Sequence, residues 1–188
     1  MKQEIILGVT GSIAAYKAAE ITRRLRKAGA GVTCVMTAGA TQFITPITLQ
    51  ALTGRKVVTS LFADQPDEEW DMEHLALTEK ANAILVAPAT ANFIARHAAG
   101  MADDALTAIC LAAACPVFLA PAMNARMWTH PATRDNVATL KRRGVKFVGP
   151  VEGPHAEMQS GPGRMSDPEK IVAQVLRVRL PRPRRGRG

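Results

Sequence analysis

Four short apolar runs, EIILGV, GVTCVM, ANAILVAPA and CPVFLAPA, are each followed by a stretch in which apolar residues recur at helical spacing. This alternation constrains the fold more than any other feature. Runs without polar alternate positions are buried on both faces, which is the pattern of parallel strands, and parallel strands require crossover connections. The helical stretches are those crossovers. IAAYKAAEITRRLRKAG follows the first run and stops at Gly29, and TQFITPITLQALTG follows the second, kinked or started by Pro46. NFIARHAAGMADDALTAICLAAA follows the third as one helical stretch; HPATRDNVATLKRRG, with Pro131 at its start and a basic last turn, comes after the fourth. VKFVGP closes the sheet, residues 151–166 read as a Gly- and Pro-rich loop, and SDPEKIVAQV opens a final helix capped by Ser166 or Asp167. The expectation is a single α/β domain over residues 1–176 with a doubly wound, mostly parallel sheet of the Rossmann or flavodoxin-like kind. Ligands of such sheets bind at the carboxyl ends of the strands.

With 188 residues, 47% hydrophobic and 21% charged, the chain can bury a full core. Its net charge of +8 is concentrated in residues 177–188, RVRLPRPRRGRG, where six Arg stand without an acid and leave +2 on the rest. That tail is expected to be disordered, with non-specific anion binding at most. Only 4% of the residues are aromatic, too few for stacking platforms, so no specific nucleic-acid partner is expected. Pro116 and Pro121 interrupt the longest apolar run, which excludes a transmembrane helix in it. Cys34, Cys110 and Cys115 lie in apolar stretches without metal-ligand spacing and no signal peptide is evident. Reduced core thiols in a cytoplasmic protein without a metal site are expected.

The strand ends carry the candidate chemistry. In GVTGSIAAYK, Gly8 and Gly11 allow a tight turn, Ser12 offers a hydroxyl, and the N–H groups of the following helix start suit a phosphate. The stretch matches neither G-x-G-x-x-G nor a Walker loop, and a plain strand-to-helix turn is the alternative. Thr37 closes the second strand, Pro88-Ala89-Thr90-Ala91-Asn92 the third and Pro121-Ala122-Met123-Asn124 the fourth. Small residues that admit a flat ring, with Thr and Asn to bond it, describe a mononucleotide pocket. His74 opens a helical stretch after an acidic loop, facing water or reaching into the pocket as a base.

Together GSIAAYK, HLALTEKANAILVAPATANFIAR, MADDALT, PAMNARMW and GPGRMSDP resemble the homo-oligomeric flavin-containing cysteine decarboxylases, over about residues 4–176. That family includes the phosphopantothenoylcysteine decarboxylases of coenzyme A synthesis and the peptidyl-cysteine decarboxylases of lantibiotic-type pathways. The resemblance implies flavin mononucleotide (FMN) as cofactor, with Gly11, Ser12 and Ile13 at its phosphate and Thr37, Phe43, Pro88, Ala89 and Thr90 around the flavin. It implies His74 as the base that forms the substrate thiolate and Asn124 as the holder of the substrate carboxylate. Met123, Met127 and Trp128 would exclude water or pack against a neighbouring subunit, or simply pack the core. Asp103 and Asp104 match a position near the cofactor or a subunit contact, or cap the next helix. Trimers, assembled further into dodecamers, are implied as well.

One departure bears on the substrate. Where coenzyme A enzymes carry a Cys that returns a proton, HAEMQSGPGRM places Glu157, followed by Met158, both near the substrate by this alignment. Without the Cys, the resemblance implies that chemistry stops at oxidative decarboxylation of a C-terminal peptide cysteine. The product is an aminoenethiol that a partner enzyme of the same pathway can cyclise. The absence of a fused synthetase domain in this sequence points the same way. The alternative is phosphopantothenoylcysteine decarboxylation, to which GPGRMSDPEKI is close, with Glu157 as a replacement acid. A flavin-binding regulatory protein without turnover is the third reading.

Overall fold

In a computed structural model that describes residues 2–61, 73–154 and 160–177, those at 73–76, 154 and 160 by backbone alone, strands and helices alternate along the chain. β1 (Glu4–Val9) leads through a 3-10 turn at Ile13–Tyr16 into α1 (Lys17–Lys27), followed by β2 (Gly31–Met36), α2 (Pro46–Thr53) and α3 (Glu73–Lys80). Then come β3 (Ala83–Ala89), α4 (Ala91–Ala99), α5 (Ala105–Leu111), β4 (Val117–Pro121), α6 (Ala125–Thr129), α7 (Pro131–Arg142) and β5 (Lys146–Phe147). β6 (Val151–Pro154), β7 (Ser160–Arg164) and α8 (Pro168–Leu176) complete the described elements.

The five strands β1 to β5 form one parallel sheet in the order β2-β1-β3-β4-β5, with Leu7 opposite Cys34 on one side and Leu85 on the other. The chain builds outward from β1 to β2, then returns to add β3 on the other side. The strand order therefore reverses between β1 and β3, which is where doubly wound sheets open a crevice. Alternation along each strand feeds two cores. Ile5, Leu7 and Val9 pack with Ile21 and Leu25 of α1 and Ile171 and Val175 of α8. Ile6, Ile84 and Val86 pack with Phe93, Leu106, Ile109 and Leu140 on the opposite face. α1 meets the sheet through Ala18, Ile21, Thr22 and Leu25, one stripe at helical spacing. Arg55 fastens the foot of the sheet, donating to Glu4 Oε2 at 2.6 Å and to Thr33 Oγ1 at 3.0 Å.

α2 starts at Pro46 and stops at Gly54, whose φ of 69° is the left-handed conformation that glycine adopts readily. Two expectations require correction. The stretch from Asn92 to Ala114 is two helices, because Gly100 turns left-handed (φ 74°) at the end of α4 and Asp104 restarts the chain with a reciprocal cap to Thr107 at α5. Residues 151–166 are not simply a loop: β6 and β7 pair as an antiparallel hairpin, with Gly153 opposite Gly161. α8 opens after Asp167, with Pro168 in its first turn. Residues 178–188, the body of the Arg-rich tail, lie outside the described residues.

Cys34 and Cys110 are buried and Cys115 is half-buried, all as free thiols. Burial pushes the Cys34 thiol up to about 12 and raises Cys110 as well, so neither forms a thiolate at neutral pH. Among the described residues no helix is long and apolar enough to cross a membrane.

Candidate active site

The carboxyl ends of β1, β2, β3 and β4 enclose a cleft of about 1190 Å³. That exceeds the roughly 300–1,000 Å³ usual for one small ligand. The turn after β1 forms its floor. Ser12 holds an extended backbone before the 3-10 turn, and its Oγ accepts from Ala14 N at 3.3 Å. Gly11 is required by its neighbour: a Cβ there would come within 2.9 Å of the carbonyl carbon and oxygen of Gly39. The turns after β1 and β2 therefore touch backbone to backbone, and Gly39 joins the site although sequence reasoning passed over it.

Thr10 was also missed. Its side chain is 2% exposed, and its Oγ1 donates to Pro88 O at 2.8 Å while accepting from Thr90 N at 3.1 Å. One hydroxyl thus joins the ends of β1 and β3; a threonine closing an otherwise apolar strand was the available signal. Pro88 and Ala89 are buried behind the cleft wall rather than in its lining, while Thr90 lines the cleft and caps α4 through Phe93 N at 3.2 Å. Thr37 lines it as well, its Oγ1 accepting from Ala40 N at 3.3 Å. Ile13 (61% exposed), Phe43 (50%) and Met127 (49%) present apolar surface to the opening.

Asp103 and Asp104 both line the cleft and converge on Arg96 of α4, a cation sequence reasoning did not single out. Asp104 also caps α5, accepting from Thr107 N at 2.8 Å, so it takes the capping role, while Asp103 pairs with the guanidinium. The Arg96 guanidinium holds the Asp103 carboxyl below the usual carboxylate range.

On the far side Asn124 caps α6, its Oδ1 accepting from Arg126 N at 2.8 Å. Met123 and Met127 line the cleft with it, whereas Trp128 packs into the second core. Met123 N donates to Gly163 O at 3.0 Å, which ties the 160–164 strand of the hairpin to this wall and brings Gly163, Arg164 and Met165 into the lining. His74 is the second residue of α3; its side chain, with Glu157 and Met158, lies outside the described residues. Among the described residues no group of three or more His, Cys, Asp or Glu could hold a metal ion.

Residues 1–180 match the Flavoprotein family. The chain belongs to that family. Its similarity to curated and solved relatives follows the same line. It is 49% identical over 181 residues to the coenzyme A biosynthesis bifunctional protein CoaBC of Vibrio vulnificus, covering 96% of this chain and 45% of that protein. The chain thus spans less than half the length of that relative. Among solved structures, a PPC decarboxylase mutant complexed with pantothenoylaminoethenethiol superposes with a TM-score of 0.83 at 27% identity, covering 94% of this chain and 97% of the other. The FMN-dependent cysteine decarboxylase SpaF superposes with a TM-score of 0.78 at 36% identity, covering 93% of this chain and 97% of the other.

Proposed function

We propose that this flavoprotein is an FMN-dependent cysteine decarboxylase whose substrate is phosphopantothenoylcysteine. The observation that carries the substrate is the 49% identity to a coenzyme A biosynthesis protein across 96% of the chain. It outweighs the preference for a peptide drawn from the missing cysteine at residue 157. The cleft fits the cofactor. A hydroxyl and helix-start N–H groups at Gly11, Ser12 and Ile13 suit its phosphate, and Thr37, Phe43, Thr90 and Asp103 border a space wide enough for a ring. Pro88 and Ala89 shape that space from behind.

Bound FMN supplies the two-electron acceptor that this decarboxylation requires, since a cysteine carboxylate has no electron sink beside it. The chain does the rest. Asn124, fixed at the start of α6, hydrogen-bonds the substrate carboxylate. A neutral amide orients it without the strong ground-state stabilisation a buried cation would impose, which would oppose loss of carbon dioxide. His74 takes the thiol proton. Met123 and Met127 cover the reacting carbons and exclude water. For carbon dioxide to be the only loss, the two electrons taken up by the cofactor would have to return to the product together with a proton at carbon, and Glu157 is the acid in the segment where related coenzyme A enzymes carry Cys. The working protein is a homo-oligomer, a trimer or dodecamer, in the cytoplasm; the exposed Ile13, Phe43 and Met127 at the cleft mouth support burial by a neighbouring copy.

A second reading keeps the peptide substrate, favoured by the absence of Cys from HAEMQSGPGRM. Product masses decide between the two. FMN-loaded protein is incubated with phosphopantothenoylcysteine and, separately, with peptides ending in cysteine. Loss of carbon dioxide alone from the first supports the main reading. Loss of carbon dioxide plus two hydrogens from peptides only replaces it with the second.

A further inference from the structure

Among the described residues three cations line the cleft: Lys17, Arg96 and Arg164. They are not equivalent. Arg96 is committed, its guanidinium lying between the carboxylates of Asp103 and Asp104. Lys17 opens α1 directly after the Ser12–Tyr16 turn, beside the place where the cofactor phosphate is proposed to bind. Arg164 stands apart from both, at the end of β7, separated from Lys17 along the rim by the end of β3. Its ion pair, to Asp167 Oδ1 at 3.7 Å, is long, and both side chains are substantially exposed. Such a pair contributes little and yields readily to a stronger anion. Its backbone neighbour Gly163 is bonded to Met123, one residue before the proposed carboxylate holder Asn124. Gly153 leaves room for the guanidinium over the hairpin, since a Cβ there would come within 2.9 Å of Arg164 Nη1.

We propose that Arg164 is a specificity determinant that receives the terminal phosphate monoester of the substrate. This rests on the reading above, in which the substrate is anionic at both ends: a carboxylate at the cysteine and a phosphate at the far end of an extended arm. Asn124 takes the first. The second needs a cation with accessible N–H groups, on the same wall but displaced from Asn124, and a guanidinium offers a phosphate two parallel bonds. Arg164 is the cleft cation in that place whose charge is not already used by a close carboxylate or adjacent to the cofactor turn. A peptide substrate with no phosphate gains nothing from it.

The test compares phosphopantothenoylcysteine with pantothenoylcysteine, using FMN-loaded wild type, Arg164→Gln and Arg164→Lys, and reads the ratio of the two kcat/KM values. Wild type should favour the phosphorylated substrate. Arg164→Gln should lower that ratio by roughly 10–100-fold, the worth of a charge-assisted phosphate contact. Arg164→Lys should restore part of it, and FMN affinity should be unchanged in both variants. A fall in both kcat/KM values with the ratio intact means that Arg164 only supports the hairpin, and overturns the proposal. So does weakened FMN binding without a change in ratio, which would assign the charge to the cofactor phosphate. If wild type turns over only cysteine peptides, the substrate reading itself fails and this inference falls with it.

Discussion

Thr10 concentrates much of the site into one hydroxyl. Replacing it with valine keeps the shape but leaves Pro88 O and Thr90 N without the partner they now share. Thr10→Val should cost about 1–3 kcal/mol. For a chain this long that appears as a drop in Tm of about 2–4 °C per kcal/mol, measured by calorimetry on the FMN-free protein. His97 gives a pH dependence. It is buried against Phe93, its Nδ1 without a hydrogen-bond partner among the described residues, and burial, then nearby Arg143, lowers its pKa. The unfolded chain protonates this imidazole near 6.5 while the folded chain resists, so stability is lost as pH falls through that value. Melting curves between pH 7 and 5 should slope less for His97→Phe than for wild type. At His74, replacement by asparagine should retain bound flavin and lower the decarboxylation rate by at least about 100-fold, the lower range for a lost proton-transfer group. A rate near wild type would remove His74 from the mechanism.

Among the elements, the elbow between α4 and α5 and the contact between the turns after β1 and β2 carry the site. Asp104→Ala removes a helix cap and one of the two partners of Arg96 at once, for about 0.5–2 kcal/mol from the cap alone. Gly11→Ala pushes a methyl into the Gly39 backbone, which cannot rotate away, at about 1–3 kcal/mol, with weaker FMN binding by fluorescence titration. The sheet and its crossovers were legible because uninterrupted apolar runs and helical spacing are local patterns. The elbow hid inside one helical periodicity, although Gly100 followed by Asp103-Asp104 was a readable stop and start. β6 and β7 hid for another reason. Apart from Val151, VEGP and SGPGR consist of residues depleted in strands or indifferent to them, and their mutual pairing makes them strands. Arg96 escaped notice because its carboxylates lie seven and eight residues on, brought back by that elbow.

Across the whole molecule, the cleft draws on segments from Thr10 to Met165, so it exists only when the sheet is complete. A ligand that recognises such a site binds the native state alone. Added FMN should therefore raise the Tm of cofactor-free protein, by the equivalent of about 2.7 kcal/mol at a hundredfold excess over Kd. The four strand ends of the cleft announced themselves one by one in the sequence as small and polar residues. Their convergence depended on the strand order, which no local pattern contains. The β6–β7 hairpin stands outside that order. Its ladder closes on itself, while Gly163 meets the sheet's own loop through Met123. On the roles proposed above, the turns that would hold the cofactor and the strand that would face the far end of a substrate are separate pieces of chain. Exchanging the β6–β7 stretch as a short cassette would then change both which cysteine is accepted and, with Glu157 inside it, how the product is protonated, while the strand-end turns proposed for the cofactor stay in place.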